Sequence, residues 1–169
     1  MSDRDAHADE AALKWYRRSG YDSVAYGPHL AVLSPDLPPT LRLLSEGGGS
    51  ISLHDAWLID ARAADDTITL DIAAYDYARS GFNDAEVDLH VRIVYRAATM
   101  HGPTVDDLWL WRRAGVEILA GEFDRTDDGR LIHRFLVFPE SYDSMAVSFA
   151  SAELVAVRLD GTRVSVVDQ

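Results

Sequence analysis

Val116-Glu117-Ile118-Leu119-Ala120-Gly121-Glu122-Phe123 and Leu131-Ile132-His133-Arg134-Phe135-Leu136-Val137-Phe138 flank the polar stretch Thr126-Asp127-Asp128-Gly129. Two runs of eight residues rich in Val, Ile, Leu and Phe, joined by turn formers, read as a β-hairpin. Both faces of each run carry apolar residues, so this hairpin belongs at the centre of a sheet covered on both sides. If Arg125 stands opposite Arg130, Leu119 faces Leu136, Ala120 faces Phe135, and Glu122 faces His133.

The same period of two extends outward from the hairpin. Upstream, Ile51–Ala61 and Thr67–Ala74 form a second hairpin across Asp65-Asp66, with Ile68, Leu70 and Ile72 alternating against Thr67, Thr69 and Asp71. In Glu86–Ala97, Val87, Leu89, Val91, Ile93 and Tyr95 line one face. Downstream, Met145–Phe149, Glu153–Leu159 and Arg163–Val167 are further strands, the last two joined at Asp160-Gly161. Before residue 50 the pattern changes. Asp9–Arg18 reads as a helix with acids in its first turn and arginines in its last; His29–Leu33 reads as a short strand, and Pro39–Ser45 as a short helix. Gly47-Gly48-Gly49-Ser50 separates the two parts. The expected fold is one α+β domain over 1–169, with a helical or irregular part (1–50) and a mainly antiparallel sheet (51–169). That sheet has about seven or eight strands in a meander, with one or two N-terminal helices on a face.

A chain of 169 residues is long enough to bury a core without a staple. It has no cysteine, which removes thiolate metal sites and cysteine nucleophiles. The start is polar and acidic and the apolar runs are short, so neither a secretory leader nor a membrane helix is expected, and the cytoplasm is the expected location. Formal net charge is −12, from 28 acidic against 16 basic residues. That field repels phosphate backbones, which argues against nucleic acid and in favour of either simple solubility or a basic protein partner.

Chemistry-bearing motifs are few. Lys14 is the only lysine and lies far from Gly47-Gly48-Gly49, so there is no Walker loop; no dinucleotide fingerprint, serine elbow or H-E-x-x-H motif is present. No cofactor or metal is therefore expected. The catalytic candidates are His54-Asp55, at a strand entrance where successive side chains should point to opposite faces, and Glu122 with His133. The latter are cross-strand neighbours in the register above, suited to a general base and equally suited to a polar pair at a core rim. For partner binding, Asp76, Asp84, Glu86 and Asp88 cluster around the loop before an alternating strand. Trp109 and Trp111, spaced as on a strand beside two arginines, suit either an exposed platform or a lid on the core.

Trp15-Tyr16, Leu53-His54-Asp55-Ala56, Trp109 and Trp111, Glu117-Ile118 and Leu131-Ile132-His133 occur in this order along the chain. In that order the chain resembles a group of small bacterial proteins of unknown function, some similar to immunity proteins of polymorphic toxin systems. It departs from them at Trp111-Arg112-Arg113-Ala114-Gly115-Val116, where a tighter, acidic connection is expected. The resemblance implies a protein-binding role and supplies no catalytic residues. Together these features favour a non-catalytic, acidic protein-binding module with a basic partner. The alternative is a small hydrolase or ligand-binding protein using His54, Asp55, Glu122 or His133, and a structural subunit paired through Trp109 and Trp111 is a third reading.

Overall fold

The computed structural model describes residues 11–17, 20–21, 23–76, 88–111, 115–138 and 143–164. The α+β class holds. One nine-stranded antiparallel sheet carries the fold, with a helix and three 3-10 turns ahead of it.

The strands of the sheet are β3 (Ile51–Ala64), β4 (Thr67–Asp76), β5 (Leu89–Arg96), β6 (Thr99–His101), β7 (Val116–Arg125), β8 (Leu131–Phe138), β9 (Asp143–Phe149), β10 (Ser151–Arg158) and β11 (Arg163–Val164). Their order is β11-β10-β5-β4-β3-β7-β8-β9-β6, which is not a simple meander. β5 and β6 are halves of one strand bent at Ala97, where φ is +47°, and β9 and β10 are halves of another. One antiparallel register runs through both bends, from Leu89↔Arg158 to His101↔Ala146. The first bent strand also pairs with β4, and the second with β8, so the sheet closes into a barrel of six long strands. Closure explains the sequence pattern: one face of every strand turns inward, and Ile72, Val91, Ile93, Ile118, Phe135 and Val147 fill the interior.

The barrel has a gap. β7 pairs with β3 only at Ala56↔Ile118, Trp57↔Glu117 and Leu58↔Val116. Beyond these pairs the start of β3 and the end of β7 diverge, and the N-terminal part fills the opening. Helix α1 (Ser23–Leu33) and the 3-10 turns Ser34–Asp36, Pro39–Leu43 and Ser45–Gly47 bury Leu33, Leu37, Leu41 and Leu44 in the barrel core. Thr40 Oγ1 accepts a hydrogen bond from Leu154 N–H (3.0 Å), and Leu44 bridges Ile51 in parallel. Residues 23–47 are thus a plug rather than an appendage.

Several sequence expectations change here. His29–Leu33 is the end of a helix, not a strand, because Tyr26, Leu30 and Leu33 recur at helical spacing and face the barrel despite Pro28. Of the expected Asp9–Arg18 helix, residues 9, 10 and 18 lie outside the described residues. Past Ala11 the chain is not helical: Tyr16–Arg17 (β1) pairs with Gly20–Tyr21 (β2). Pro39–Ser45 forms a 3-10 turn over Pro39–Leu43. Trp109 and Trp111 lie on a helix, α2 (Val105–Trp111), not a strand. Thr104 N–H donates to Asp107 Oδ2 (2.8 Å) and Asp107 N–H donates to Thr104 Oγ1 (3.2 Å), a reciprocal cap that starts this helix. Among the described residues no helix is long and apolar enough to cross a membrane.

Candidate functional site

The central hairpin forms as expected, but its register is shifted. The turn closes through Thr126 N–H to Arg130 O (2.9 Å), so Arg125 stands opposite Leu131, Phe123 opposite His133, and Glu122 opposite Arg134. A slip of one residue moves a side chain to the other face. Glu122 and His133 are therefore not partners: His133 points into the barrel and Glu122 lies on its outer wall. Each belongs to its own buried cluster.

The inner cluster is a chain of three ionisable side chains. Glu46, on the turn Ser45–Gly47, sends its carboxylate through the gap between β3 and β7. His133 Nε2 lies 3.1 Å from Glu46 Oε1, and His133 Nδ1 lies 2.8 Å from the Tyr95 hydroxyl. A carboxylate only accepts, so Nε2 carries the proton and donates to Glu46, and the bare Nδ1 accepts from Tyr95. His133 and Tyr95 are fully buried, in tilted ring contacts with Phe123, Phe135 and Phe149. Burial pushes the His133 pKa down, against the opposing pull of Glu46, and pushes Tyr95 well up, so both rings are neutral at pH 7. Tyr26 ties the same turn to β7: its hydroxyl donates to Glu46 O (2.7 Å) and accepts from Phe123 N–H (2.9 Å).

Gly121 makes this entry possible. A Cβ there would sit 2.7 Å from Glu46 Oε1 and 3.3 Å from His133 Nε2. Gly121→Ala is expected to push the carboxylate off the imidazole and lower stability by about 1–3 kcal/mol in urea unfolding. An unchanged midpoint would mean that the Glu46–His133 contact adds nothing to the fold.

The outer cluster holds the segment before α1. Glu122 accepts from Lys14 N–H (2.6 Å) and Trp15 N–H (3.1 Å), backbone donors that a continuing helix would keep for itself. Asp124 receives Arg134 Nη1 (2.7 Å) and Lys14 Nζ (2.6 Å), and His29 Nε2 lies 3.3 Å away. Burial raises the Glu122 pKa against these N–H groups, whereas at Asp124 the bonds from Lys14, Arg125 N–H and Arg134 outweigh burial and lower it. Trp15 stacks on His29 with ring centroids 4.1 Å apart. A third tie crosses the outer wall, where Arg62, His90 (2.9 Å) and Arg92 (2.8 Å) converge on the buried Asp71 and hold its pKa down against desolvation.

The other candidates do not join these clusters. His54 and Asp55 are both exposed, and their side chains meet (3.3 Å) rather than diverging, because Asp55 takes φ +61° where the β3–β4 register shifts. The four catalytic candidates thus occupy three places: His54 and Asp55 at the surface, Glu122 under the N-terminal segment, His133 inside the barrel. No set of three or more metal-ligating side chains gathers among the described residues. Of the acidic partner candidates, Asp84 and Glu86 lie outside the described residues, Asp76 ends β4, and Asp88 precedes β5, its N–H bonded to Ala74 O. Trp111 packs against the core, whereas Trp109 is 49% exposed.

Sequence reasoning missed Glu46 and Tyr95, since nothing local marks a residue whose partner is 87 or 38 positions away, and Arg134, whose partners Asp124 and Glu122 lie on the same hairpin but meet it only in the shifted register. It also missed His101, whose Nε2 shares a 2.9 Å hydrogen bond with Ser148 Oγ beside a shallow cleft of about 270 Å³. Glu46, His133 and Tyr95 inside the barrel and Glu122, Asp124 and Arg134 on its outer wall are thus all buried, whereas Trp109 and Leu110 on α2 are exposed. The chain matches no protein-family model, no curated protein and no solved structure.

Proposed function

We propose that this protein is a non-catalytic binding module, immunity-like and cytoplasmic, whose acidic surface docks a basic protein partner around α2. The observation that carries this reading is the set of side chains α2 leaves in solvent: Trp109 and Leu110, 49% and 59% exposed, one turn from the exposed Asp106. Large apolar groups beside a carboxylate match the anchors of protein interfaces, where a buried aromatic supplies affinity and rim charges steer approach. β3 extends the same character: Ile59 is exposed, and Trp57 sits across Glu117 from Phe138, both rings 43% exposed. The net charge of −12 favours a cationic partner.

Affinity capture from cell lysate at about 50 mM and about 500 mM salt tests this reading. A basic protein is expected at low salt and not at high salt, with Trp109→Ala and Asp106→Arg each cutting recovery about tenfold or more. No specific partner at either salt, or equal recovery by both variants, overturns it.

A further inference from the structure

Three side chains stand in one row across the outer wall of the barrel. Trp57 on β3 pairs with Glu117 on β7, and Glu117 pairs with Phe138 on β8. The neighbouring row, Ala56, Ile118 and Val137, is buried in the core, so strand alternation turns Trp57, Glu117 and Phe138 outward, where each is partly accessible. Directly opposed residues have Cβ atoms about 5 Å apart, so the two aromatic side chains are anchored about 10 Å from one another with the carboxylate between them. That spacing leaves room for a flat group at about 3.5 Å from each ring face. Trp57 is seated from below: Gly115, at φ +84°, lets the ring lie against the main chain, where a Cβ would be 2.7 Å from Trp57 Cζ3. Among the described residues Glu117 has neither an ion pair nor a side-chain hydrogen bond, unlike Glu46, Glu122, Asp71 and Asp124. The cationic groups of β3 are engaged elsewhere, His54 on Asp55 (3.3 Å) and Arg62 on Asp60 (3.3 Å) and Asp71. The row is also continuous with the surface around α2: Ile59, two residues beyond Trp57, is exposed, and Trp109 borders a small hollow with Leu58, Asp60 and Ala61.

We infer that this row grips one arginine side chain of the partner, its guanidinium lying over Glu117 between the Trp57 and Phe138 rings. The inference rests on the protein-binding reading above and names the side chain that is recognised. A guanidinium is flat and weakly hydrated, so it stacks on aromatic faces while its N–H groups donate to a carboxylate. A lysine ammonium is more strongly hydrated and cannot stack. Glu117 contributes a charge that no described group of this chain neutralises, and the two rings keep water from the ion pair, which strengthens it.

The probe is N-acetyl-arginine amide, titrated into the full-length, ¹⁵N-labelled protein. Saturable shifts are expected at the Trp57 indole N–H and at the Glu117 and Phe138 amides. The lysine analogue and the neutral citrulline analogue should each bind at least about fivefold more weakly. Glu117→Gln removes the charge and keeps the shape, and it should weaken arginine binding about fivefold or more, as should Trp57→Ala. Shifts that spread over other acidic surfaces without saturating, equal binding of either analogue, or equal binding by Glu117→Gln each overturn the inference. The capture experiment separates the two levels. A partner lost with Trp109→Ala but retained by both Glu117→Gln and Trp57→Ala removes the arginine grip and keeps the binding module, whereas no partner with the wild type removes the module itself.

Discussion

Arg134→Ala is expected to lower the unfolding free energy by about 3–5 kcal/mol, a large share of the total for a domain of this size. Arg134 is only 1% exposed, and its guanidinium is the buried cation between two carboxylates, 2.7 Å from Asp124 and 3.9 Å from Glu122. Deleting it leaves both acids desolvated, with Lys14 and His29 still on Asp124 but only backbone N–H groups on Glu122. Urea unfolding at pH 7 is the measurement. A companion variant, Arg134→Ala with Glu122→Gln, should recover part of the loss, because the amide removes one uncompensated charge and keeps an acceptor for Lys14 N–H. A loss under about 1 kcal/mol for the single variant would mean that water reaches the cluster.

His133→Phe should cost a comparable amount, about 3–5 kcal/mol, although the residue it introduces is apolar and enters an apolar surround. The reason is what stays behind. The Tyr95 hydroxyl loses the Nδ1 that accepts from it, and the Glu46 carboxylate keeps only the Ser45 hydroxyl on its other oxygen (3.1 Å). Combining His133→Phe with Tyr95→Phe and Glu46→Leu should regain most of the loss by emptying the network of polar groups. The same imidazole has a pH signature. Its folded pKa lies below the usual 6.5 because burial disfavours the cation, so above pH 6.5 neither state binds the proton and the full stability is present. As pH falls below 6.5 the unfolded chain takes up a proton that the folded barrel refuses, and stability declines. The decline from about pH 7 to about pH 5 should be shallower in His133→Phe than in the wild type. Equal slopes in the two proteins would place the acid sensitivity elsewhere.

How legible the molecule was depended on range. The hairpins Ile51–Ala64/Thr67–Asp76 and Val116–Arg125/Leu131–Phe138 could be read because alternation and turn residues are local signals. In α2 the spacing of Trp109 and Trp111 points to a strand, whereas the Thr104-x-x-Asp107 cap, an equally local signal, starts a helix. Helix α1 hid behind Gly27-Pro28, whose low helix propensity is outweighed by the burial of Tyr26 and Leu33. At the candidate sites, Glu122 and His133 were expected as a pair at a core rim; each is buried, but in a separate cluster, because the bond that closes the turn moves the register by one residue.

By itself the sequence determined the antiparallel class, the hairpin partners, the absence of thiol chemistry and the acidic field, all of which follow from composition or from contacts a few residues apart. Tertiary structure alone decided that the sheet closes, that residues 23–47 plug it, and which polar side chains meet. Those outcomes rest on pairings such as Glu46 with His133 and Lys14 with Asp124, separated by most of the chain. A pattern of period two states which side chains share a face, but which faces meet is settled only when apolar surfaces are buried together and every polar group taken inside finds a partner.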